Sequence, residues 1–220
     1  MLLCTARMVR LLTAFYRATH AFQRANPPWL LMAGHQVTGR AHRVVGVVAS
    51  PESGGRTSAA VAGLLEGAAE AGCATSLLEL SALPVEQVVT QIDEADAVVF
   101  GSPVYRATYS ALLKQLLESV QRGRHDETTA PLRGKAAAVV MTGATQSHFL
   151  AISGVRDVLA TFFAVQVLSP GLYVDHAGFV DRTRLSEQTA ALAAQQGAAL
   201  ADLTAAVRTS SALSTLEPLV

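Results

Sequence analysis

A chain of 220 residues is long enough for one α/β domain whose core covers both faces of a sheet. Half of the residues are hydrophobic but only 5% are aromatic, so the apolar content is mostly Ala, Val and Leu, which favours buried parallel strands and close-packed helices over a β-sandwich. The 17 basic residues equal the 17 acidic ones, which excludes a strong overall field for holding nucleic acid or an anionic membrane.

The N-terminal part of the chain is set apart by its charge. The first 51 residues contain no Asp or Glu, and the arginine-rich bias ends abruptly at Glu52. Such a leader can be a targeting segment, but prolines interrupt it and no signal-peptide pattern is evident. We therefore expect residues 1–42 to be a disordered extension, or the chain to start at Met32, and we place the domain in residues 43–208 with a C-terminal tail at 209–220.

From Arg43 onward, short β-branched runs alternate with longer segments of helical period. Strands are predicted over residues 44–48, 74–80, 97–100, 136–141 and 165–173. Helices are predicted from about residue 57 to Gly72, over 84–93, from Ser110, over 147–163, and around 192–207. Strands that alternate with helices require right-handed crossovers, so we expect a five-stranded parallel sheet with helices on both faces.

The hydropathy and cysteine patterns exclude two further kinds of protein. Apolar runs are broken by Gly, Pro or charged residues before they could cross a bilayer, so no transmembrane helix is predicted and a cytoplasmic protein is expected. Cys4 and Cys73 are distant from each other and from any pair of histidines, which argues against a disulfide framework and a zinc site. No metal-binding residue is predicted.

The first loop of interest follows strand one. In an open parallel sheet a ligand lies beyond the carboxyl ends of the strands, where the strand order reverses. Residues 49–58 combine two glycines, several hydroxyls, Arg56 and the free N–H groups of a helix that begins near Thr57, which are the parts of a phosphate cradle. The loop is neither a Walker loop nor a G-x-G-x-x-G fingerprint. A plain βα turn in which Thr57 or Ser58 caps the helix is an equal alternative.

The loops after strands three and four complete the predicted site. In residues 101–110, Pro103 stiffens the turn and Tyr105 can offer an aromatic face to a flat heterocycle, although a tyrosine here could also cover the edge of the core. In residues 142–148, small and hydroxyl side chains leave room for the edge of a ring. The same residues are also typical of an ordinary turn that binds no ligand. His148 begins a helix and is interpreted as a cap or packing residue rather than a general base.

At these loops the chain resembles the NAD(P)H-dependent FMN reductase family, especially the flavin-supplying reductases of two-component sulfonate monooxygenases. The resemblance covers roughly residues 43–207. The matching segments are Ser50-Pro51 with Arg56-Thr57-Ser58, Ser102-Pro103-Val104-Tyr105-Arg106-Ala107 through Ser110 to Leu112-Leu113-Lys114, Leu132-Arg133-Gly134-Lys135, Thr142-Gly143-Ala144, and His148-Phe149-Leu150-Ala151.

The resemblance implies a flavodoxin-like fold that binds FMN and reduces it with NAD(P)H. It also implies a homo-oligomer, a dimer or tetramer, and a flavin-dependent monooxygenase as a possible recipient of the reduced flavin. The implied cofactor-binding residues are Ser50, Arg56 and Ser58 at the FMN phosphate, Pro103, Val104 and Tyr105 along the isoalloxazine, Thr142, Gly143 and Ala144 at its pyrimidine edge, and Thr57 and Ser102 beside them.

The chain departs from the family pattern at two positions. Glu52 stands where the first loop of many members carries an additional arginine, and an acidic group there should weaken the attraction for phosphate. Gly154 stands where some sulfonate-linked members insert a tyrosine, so their mode of flavin handover is not implied for this chain.

Three alternatives remain open at the level of sequence. The same fold with bound FMN can serve a quinone, azo-dye or chromate reductase. A flavodoxin-type electron carrier shares the fold, but such carriers are usually strongly acidic for docking, whereas this chain has balanced charge. A flavin-free interaction module would show no FMN binding. Because hydride transfer to flavin uses the reactive atom of the cofactor itself, no catalytic side chain is predicted.

Overall fold

A computed structural model describes residues 40–219, so the predicted N-terminal extension lies outside the described residues as far as residue 39. The strands are β1 (Arg43–Val48), β2 (Ala74–Glu79), β3 (Ala97–Pro103), β4 (Ala136–Thr142), β5 (Gln166–Val167) and β6 (Leu172–Val174). The helices are α1 (Arg56–Glu70), α2 (Val85–Glu94), α3 (Ala111–Ser119), α4 (Ala151–Asp157), α5 (Glu187–Thr209) and α6 (Ser211–Ser214). None of these helices is both long and apolar enough to cross a membrane.

The strands form one parallel sheet in the order β2-β1-β3-β4-β5, and β6 also pairs with β4. The predicted flavodoxin-like sheet with helices on both faces is therefore confirmed. Its fifth position is split, because β5 and β6 pair with opposite ends of β4 on the same side. Pro170 lies between the two pieces and has no N–H to donate to the ladder.

Two hydrophobic clusters, one on each face, hold the sheet between its helices. Side chains alternate along β1, so Val45 and Val47 join the cluster under α2, α3 and α4, whereas Val44 and Val48 join the cluster under α1 and α5. All seven residues of β4 are buried, as expected for a strand covered on both faces.

The helix predicted over residues 147–163 is interrupted. A 3-10 turn (Gln146–His148) precedes α4, and a π-helical turn (Val158–Phe162) follows it. The Phe163 N–H donates to the Val158 carbonyl, and both Leu159 and Phe163 are buried. This bond spans five residues instead of four, which is the wider spacing of a π-helical turn, and both apolar side chains remain in the core.

Helices α1 and α5 touch backbone to backbone through two glycines. A Cβ atom at Gly67 would lie 2.1 Å from the Ala194 carbonyl oxygen, and one at Gly197 would lie 2.0 Å from the Leu64 carbonyl oxygen. No side chain can be inserted there unless the helices move apart. Because α1 begins at the carboxyl edge of the sheet, this contact also fixes where its first turn lies.

We expect Gly197→Val to destabilise the fold by about 1–3 kcal/mol, since overpacking a closed interface forces backbone shifts. Urea unfolding would measure the change in the free energy of unfolding. Ala198→Val, one position along on the exposed side of α5, is the matched control and should cost only the difference in helix propensity. Equal effects of the two substitutions would contradict a tight α1–α5 contact.

Candidate functional site

The loops that follow β1, β3 and β4 meet at the carboxyl edge of the sheet, and a cavity of about 320 Å³ opens between them. We call it the carboxyl-edge cavity. Its lining residues are Ser50, Glu52, Gly55, Arg56, Thr57, Pro103, Val104, Tyr105, Thr142, Gly143, Ala144, His176 and Arg182. Its position is the one that the strand order specifies, because the chain leaves β1 and β3 in opposite directions along the sheet.

Buried polar contacts join these loops to one another. The hydroxyls of Thr57 and Thr142 lie 2.8 Å apart, which links the first turn of α1 to the end of β4. The Val104 N–H donates to the Thr142 carbonyl at 2.7 Å. The Ser110 hydroxyl donates to the Ala49 carbonyl at 2.6 Å and also caps α3. The walls of the cavity are therefore held at fixed separations by bonds that water cannot easily replace.

The N-terminus of α1 provides one end of the cavity. Its N-cap is Gly55, which has no side chain to satisfy the first N–H groups, whereas Ser110 and Ser186 cap α3 and α5 with their hydroxyls. No acidic residue lies in the first turn of α1. Free N–H groups and the positive end of the helix dipole therefore suit this end to an anion.

Arg56 adds a full positive charge at the same end. Its guanidinium carbon lies 5.7 Å from the centre of the Phe179 ring, so a cation–π contact orients the side chain. Phe179 belongs to the segment after β6, so the orientation of Arg56 depends on a residue that is remote in sequence.

Glu79, the last residue of β2, anchors the first loop by accepting hydrogen bonds from it. Its Oε1 accepts hydrogen bonds from the Gly54 N–H at 2.9 Å and from the Ser58 hydroxyl at 2.5 Å. Burial disfavours the charge, but the hydrogen bonds from Gly54, Ser53 and Ser58 outweigh it and lower the pKa of Glu79 below 4.5. The loop is thus tied to an ionised carboxylate.

A strained turn presents Tyr105 at the opposite wall. Tyr105 and Thr108 exchange backbone hydrogen bonds of 2.9 and 3.1 Å, and the two residues between them, Arg106 and Ala107, have φ angles of 52° and 65°. These are the φ signs of a type I′ turn, which normally requires Gly or Asn. The tyrosine remains 50% exposed beside the cavity. Backbone strain of this kind concentrates at functional sites.

The third loop is shaped by a tyrosine from the last strand. The Tyr173 hydroxyl donates to the Thr145 carbonyl at 2.6 Å, and a Cβ atom at Gly143 would lie 2.0 Å from that hydroxyl oxygen. The Gly143 N–H donates to the Val174 carbonyl at 3.0 Å. A side chain at this position would therefore displace the Tyr173 hydroxyl from its hydrogen bond to Thr145.

The structure brings together all the sequence-predicted site residues except Ser58 and Ser102. The Ser58 hydroxyl is engaged by Glu79. Ser102 is fully buried, where its hydroxyl donates to the Pro103 carbonyl and accepts from the Ser110 N–H, both at 2.9 Å. Both serines therefore support the loops from beneath the cavity, and the binding roles of the residues that line it stay predictions.

Two lining residues, His176 and Arg182, were missed by the sequence reasoning. Both lie in the segment between β6 and α5. Arg182 forms an ion pair with Glu52 across the mouth of the cavity. The acidic Glu52 is thus not an isolated charge, and an arginine does reach the first loop, although from 130 residues away. Ligands bind beyond the carboxyl ends of parallel strands, and applying this to the last predicted strand, residues 165–173, would have pointed to the segment that follows it.

A larger cavity, of about 560 Å³, lies elsewhere. It opens between α3 and the π-helical turn and is lined mainly by helix side chains such as Leu117, Val158 and Phe162. Of the loops at the carboxyl edge it includes only Tyr109, and it contains none of the residues around the N-terminus of α1. We therefore place the candidate site at the smaller cavity, where the donors converge.

Comparisons with known proteins identify a family and several relatives that this chain resembles. The model of the NADPH-dependent FMN reductase family matches residues 42–179. The chain is 33% identical over 115 residues to an NADH-dependent FMN reductase, SfnF, of Pseudomonas putida, a match that covers 52% of this chain and 54% of the relative. It is 32% identical over 92 residues to the FMN reductase (NADPH) of Escherichia coli K12, covering 41% of this chain and 44% of the relative. The chain thus spans about half the length of these curated relatives.

Solved structures agree on the fold. An NADH:FMN oxidoreductase in its apo form matches with a TM-score of 0.66 and 19% identity, covering 80% of this chain and 95% of that one. An archaeal flavodoxin matches with a TM-score of 0.57 and 13% identity, covering 74% of this chain and 99% of that one.

We expect Glu79→Gln to lower the free energy of unfolding near neutral pH by about 1 kcal/mol, because the first loop loses a charged acceptor. A carboxyl whose pKa is lowered on folding stabilises the fold above its ordinary value of 4.5 and loses that contribution as the pH falls through its folded value. The difference between variant and wild type should therefore shrink on acidification.

Urea unfolding at neutral pH and at a series of pH values below 4.5 measures this difference. Glu70→Gln, on the exposed end of α1, is the control. A difference that stays constant with pH would argue against an ionised Glu79 as the anchor of the loop.

Proposed function

The chain belongs to the NADPH-dependent FMN reductase family, and we propose that it reduces FMN with NAD(P)H in the carboxyl-edge cavity. The observation that carries the proposal is that one cavity joins an anion-suited end to a flat, partly aromatic end. FMN has the corresponding two parts, a phosphate and a planar tricyclic ring.

The phosphate end would be formed by the first turn of α1. Gly55 and Thr57 line the cavity beside Ser50, and Arg56 supplies the positive charge. Backbone N–H groups at a helix N-terminus together with a guanidinium are a donor set that suits a phosphate monoester.

The ring end would lie between the second and third loops. Tyr105 keeps half of its surface exposed, and Pro103 and Val104 line the cavity next to it. Gly143 and Ala144 also line the cavity, and the absence of larger side chains at these positions leaves room for the edge of a ring. A narrow space between an aromatic side chain and small residues suits a flat heterocycle.

FMN, when bound, would supply the hydride-accepting chemistry, and the protein would supply binding and orientation. The residues that line the cavity would hold the ring at a fixed depth and leave one face open to the nicotinamide. The turn after Tyr105 has a strained backbone that is already formed without a ligand, so the Tyr105 backbone would not need to rearrange to place its ring beside the flavin.

The proposal extends to assembly, partner and location. The exposed apolar side chains of Phe149, Leu150 and Phe162 lie around α4, and such a surface favours a homo-oligomer, a dimer or tetramer. A flavin-dependent monooxygenase is the proposed recipient of the reduced flavin. A cytoplasmic location follows from substrates that are intracellular nucleotides.

We expect Arg56→Ala to weaken FMN binding by about 1–3 kcal/mol, because it removes a charge-assisted contact to phosphate. Titration calorimetry with oxidised FMN measures the change. Arg156→Ala removes an arginine on α4, outside the cavity, and should leave the affinity unchanged. Unchanged affinity in Arg56→Ala would remove Arg56 from the site.

Anaerobic stopped-flow mixing of the FMN-loaded protein with NADPH, and separately with NADH, tests the reaction itself. We expect rapid loss of the visible flavin absorbance with at least one nucleotide, and steady-state nucleotide oxidation that depends on added FMN. A flavodoxin-type carrier would bind FMN but show no rapid reduction, and that result would overturn the proposed function.

A further inference from the structure

The ion pair between Glu52 and Arg182 lies at the carboxyl-edge cavity, and the proposed function does not use it. Both residues line the cavity, and they come from segments that are distant in sequence. Glu52 belongs to the first loop, and Arg182 belongs to a hairpin of residues 179–185 that follows β6. We call the latter the 179–185 hairpin.

The 179–185 hairpin is an ordered element. An antiparallel bridge joins Phe179 to Leu185, and the Val180 N–H donates to the Arg184 carbonyl at 2.9 Å. At its tip the Asp181 carboxylate accepts from the Thr183 N–H at 2.9 Å. These bonds fix the backbone on both sides of Arg182, so the direction in which its side chain leaves the hairpin is set by the fold.

The ion pair itself is weak. The side chains of Arg182 and Glu52 are 59% and 69% exposed, and ion pairs in water at this degree of exposure contribute little. A phosphate monoester carries nearly two negative charges at neutral pH and offers more acceptor oxygens than a carboxylate. Such an anion in the cavity would compete effectively with Glu52 for the Arg182 guanidinium.

The same hairpin also contacts Arg56, the other arginine of the cavity. Phe179, at its start, lies under the Arg56 guanidinium, and Arg182 reaches the first loop from its tip. The hairpin therefore directs two positive charges toward the N-terminus of α1. Glu52 is the only acidic residue among the lining side chains of this cavity, and it is paired with one of the two.

We propose that Arg182 is a second phosphate-binding arginine of the flavin site beside Arg56, and that Glu52 is its internal competitor, so that this pair adjusts the preference for phosphorylated over unphosphorylated flavin. The assignment rests on the proposed function. FMN binding then includes an exchange in which Arg182 releases the Glu52 carboxylate and takes the flavin phosphate. Riboflavin, which lacks the phosphate, binds without this exchange and leaves the ion pair in place.

The test is a titration of oxidised FMN and of riboflavin, each followed by flavin fluorescence, with the full chain at low and high salt. We expect Arg182→Ala to weaken FMN binding by about tenfold or more and to change riboflavin binding by less than about twofold. Glu52→Gln should strengthen FMN binding severalfold and leave riboflavin unchanged, because it removes both the competitor and a like charge. High salt should reduce the effects of both substitutions.

Two matched controls accompany these variants. Arg184→Ala removes an exposed, ion-paired arginine from the same hairpin, outside the cavity lining. Glu118→Gln removes the acidic partner of an exposed ion pair on α3. Both should bind the two flavins as the wild type does. Circular dichroism verifies folding, and Arg182→Gln provides a second uncharged variant.

Several outcomes would overturn the assignment. If Arg182→Ala binds FMN as tightly as Arg184→Ala does, or if it binds FMN and riboflavin less tightly by the same factor, then Arg182 makes no contact with the phosphate. Weaker FMN binding in Glu52→Gln would mean that Glu52 positions Arg182 instead of competing for it. An altered preference between NADPH and NADH with unchanged FMN affinity would assign Arg182 to the nucleotide phosphate.

Failure of this assignment is distinguishable from failure of the proposed function. A wild-type protein that binds neither flavin and does not oxidise NAD(P)H with FMN contradicts both. A wild-type protein that binds and reduces FMN, while Arg182→Ala binds both flavins normally, contradicts only the role given to Arg182.

Discussion

The geometry of the carboxyl-edge cavity depends on the buried hydrogen bonds that join the ends of parallel strands. The Thr57 and Thr142 hydroxyls connect the start of α1 to the end of β4, and Ser110 connects the start of α3 to the end of β1. Parallel strands place their carboxyl ends at one edge, but only such bonds set how far apart the loops stand. The base of the cavity is therefore tied to the sheet through these bonds.

Packing on the faces of the sheet acts at the same edge. Because aromatic residues are few, α1 and α5 approach until their backbones touch at Gly67 and Gly197. An α-helix that lies this close cannot slide or tilt without a clash, so the position of its first turn is determined by contacts far from the cavity. Small residues in the core thus contribute to function by fixing the N–H groups that face a ligand.

The charge of the chain is balanced overall but organised locally. Glu79 holds the first loop from below through accepted hydrogen bonds, Arg56 rests on Phe179, and Glu52 pairs with Arg182 at the mouth. Each of these contacts joins residues from different elements. The anion-suited end of the cavity is therefore a product of short-range pairing, and a net charge of zero gives no indication of it.

The sequence alone determined a parallel sheet and three loops at its edge, because hydrophobic periodicity and turn residues are local signals. The resemblance of those loops to a known family supplied most of the residues that line the cavity. The sequence could not determine that the hydroxyls of Ser58 and Ser102 form hydrogen bonds within the protein, and so do not line the cavity. It also could not determine that Tyr105 precedes a strained turn without glycine, or that Arg182 pairs with Glu52. These outcomes depend on contacts between residues distant in the chain. Only the tertiary structure decides which partner each polar group finds, since that choice follows from packing and not from neighbouring residues.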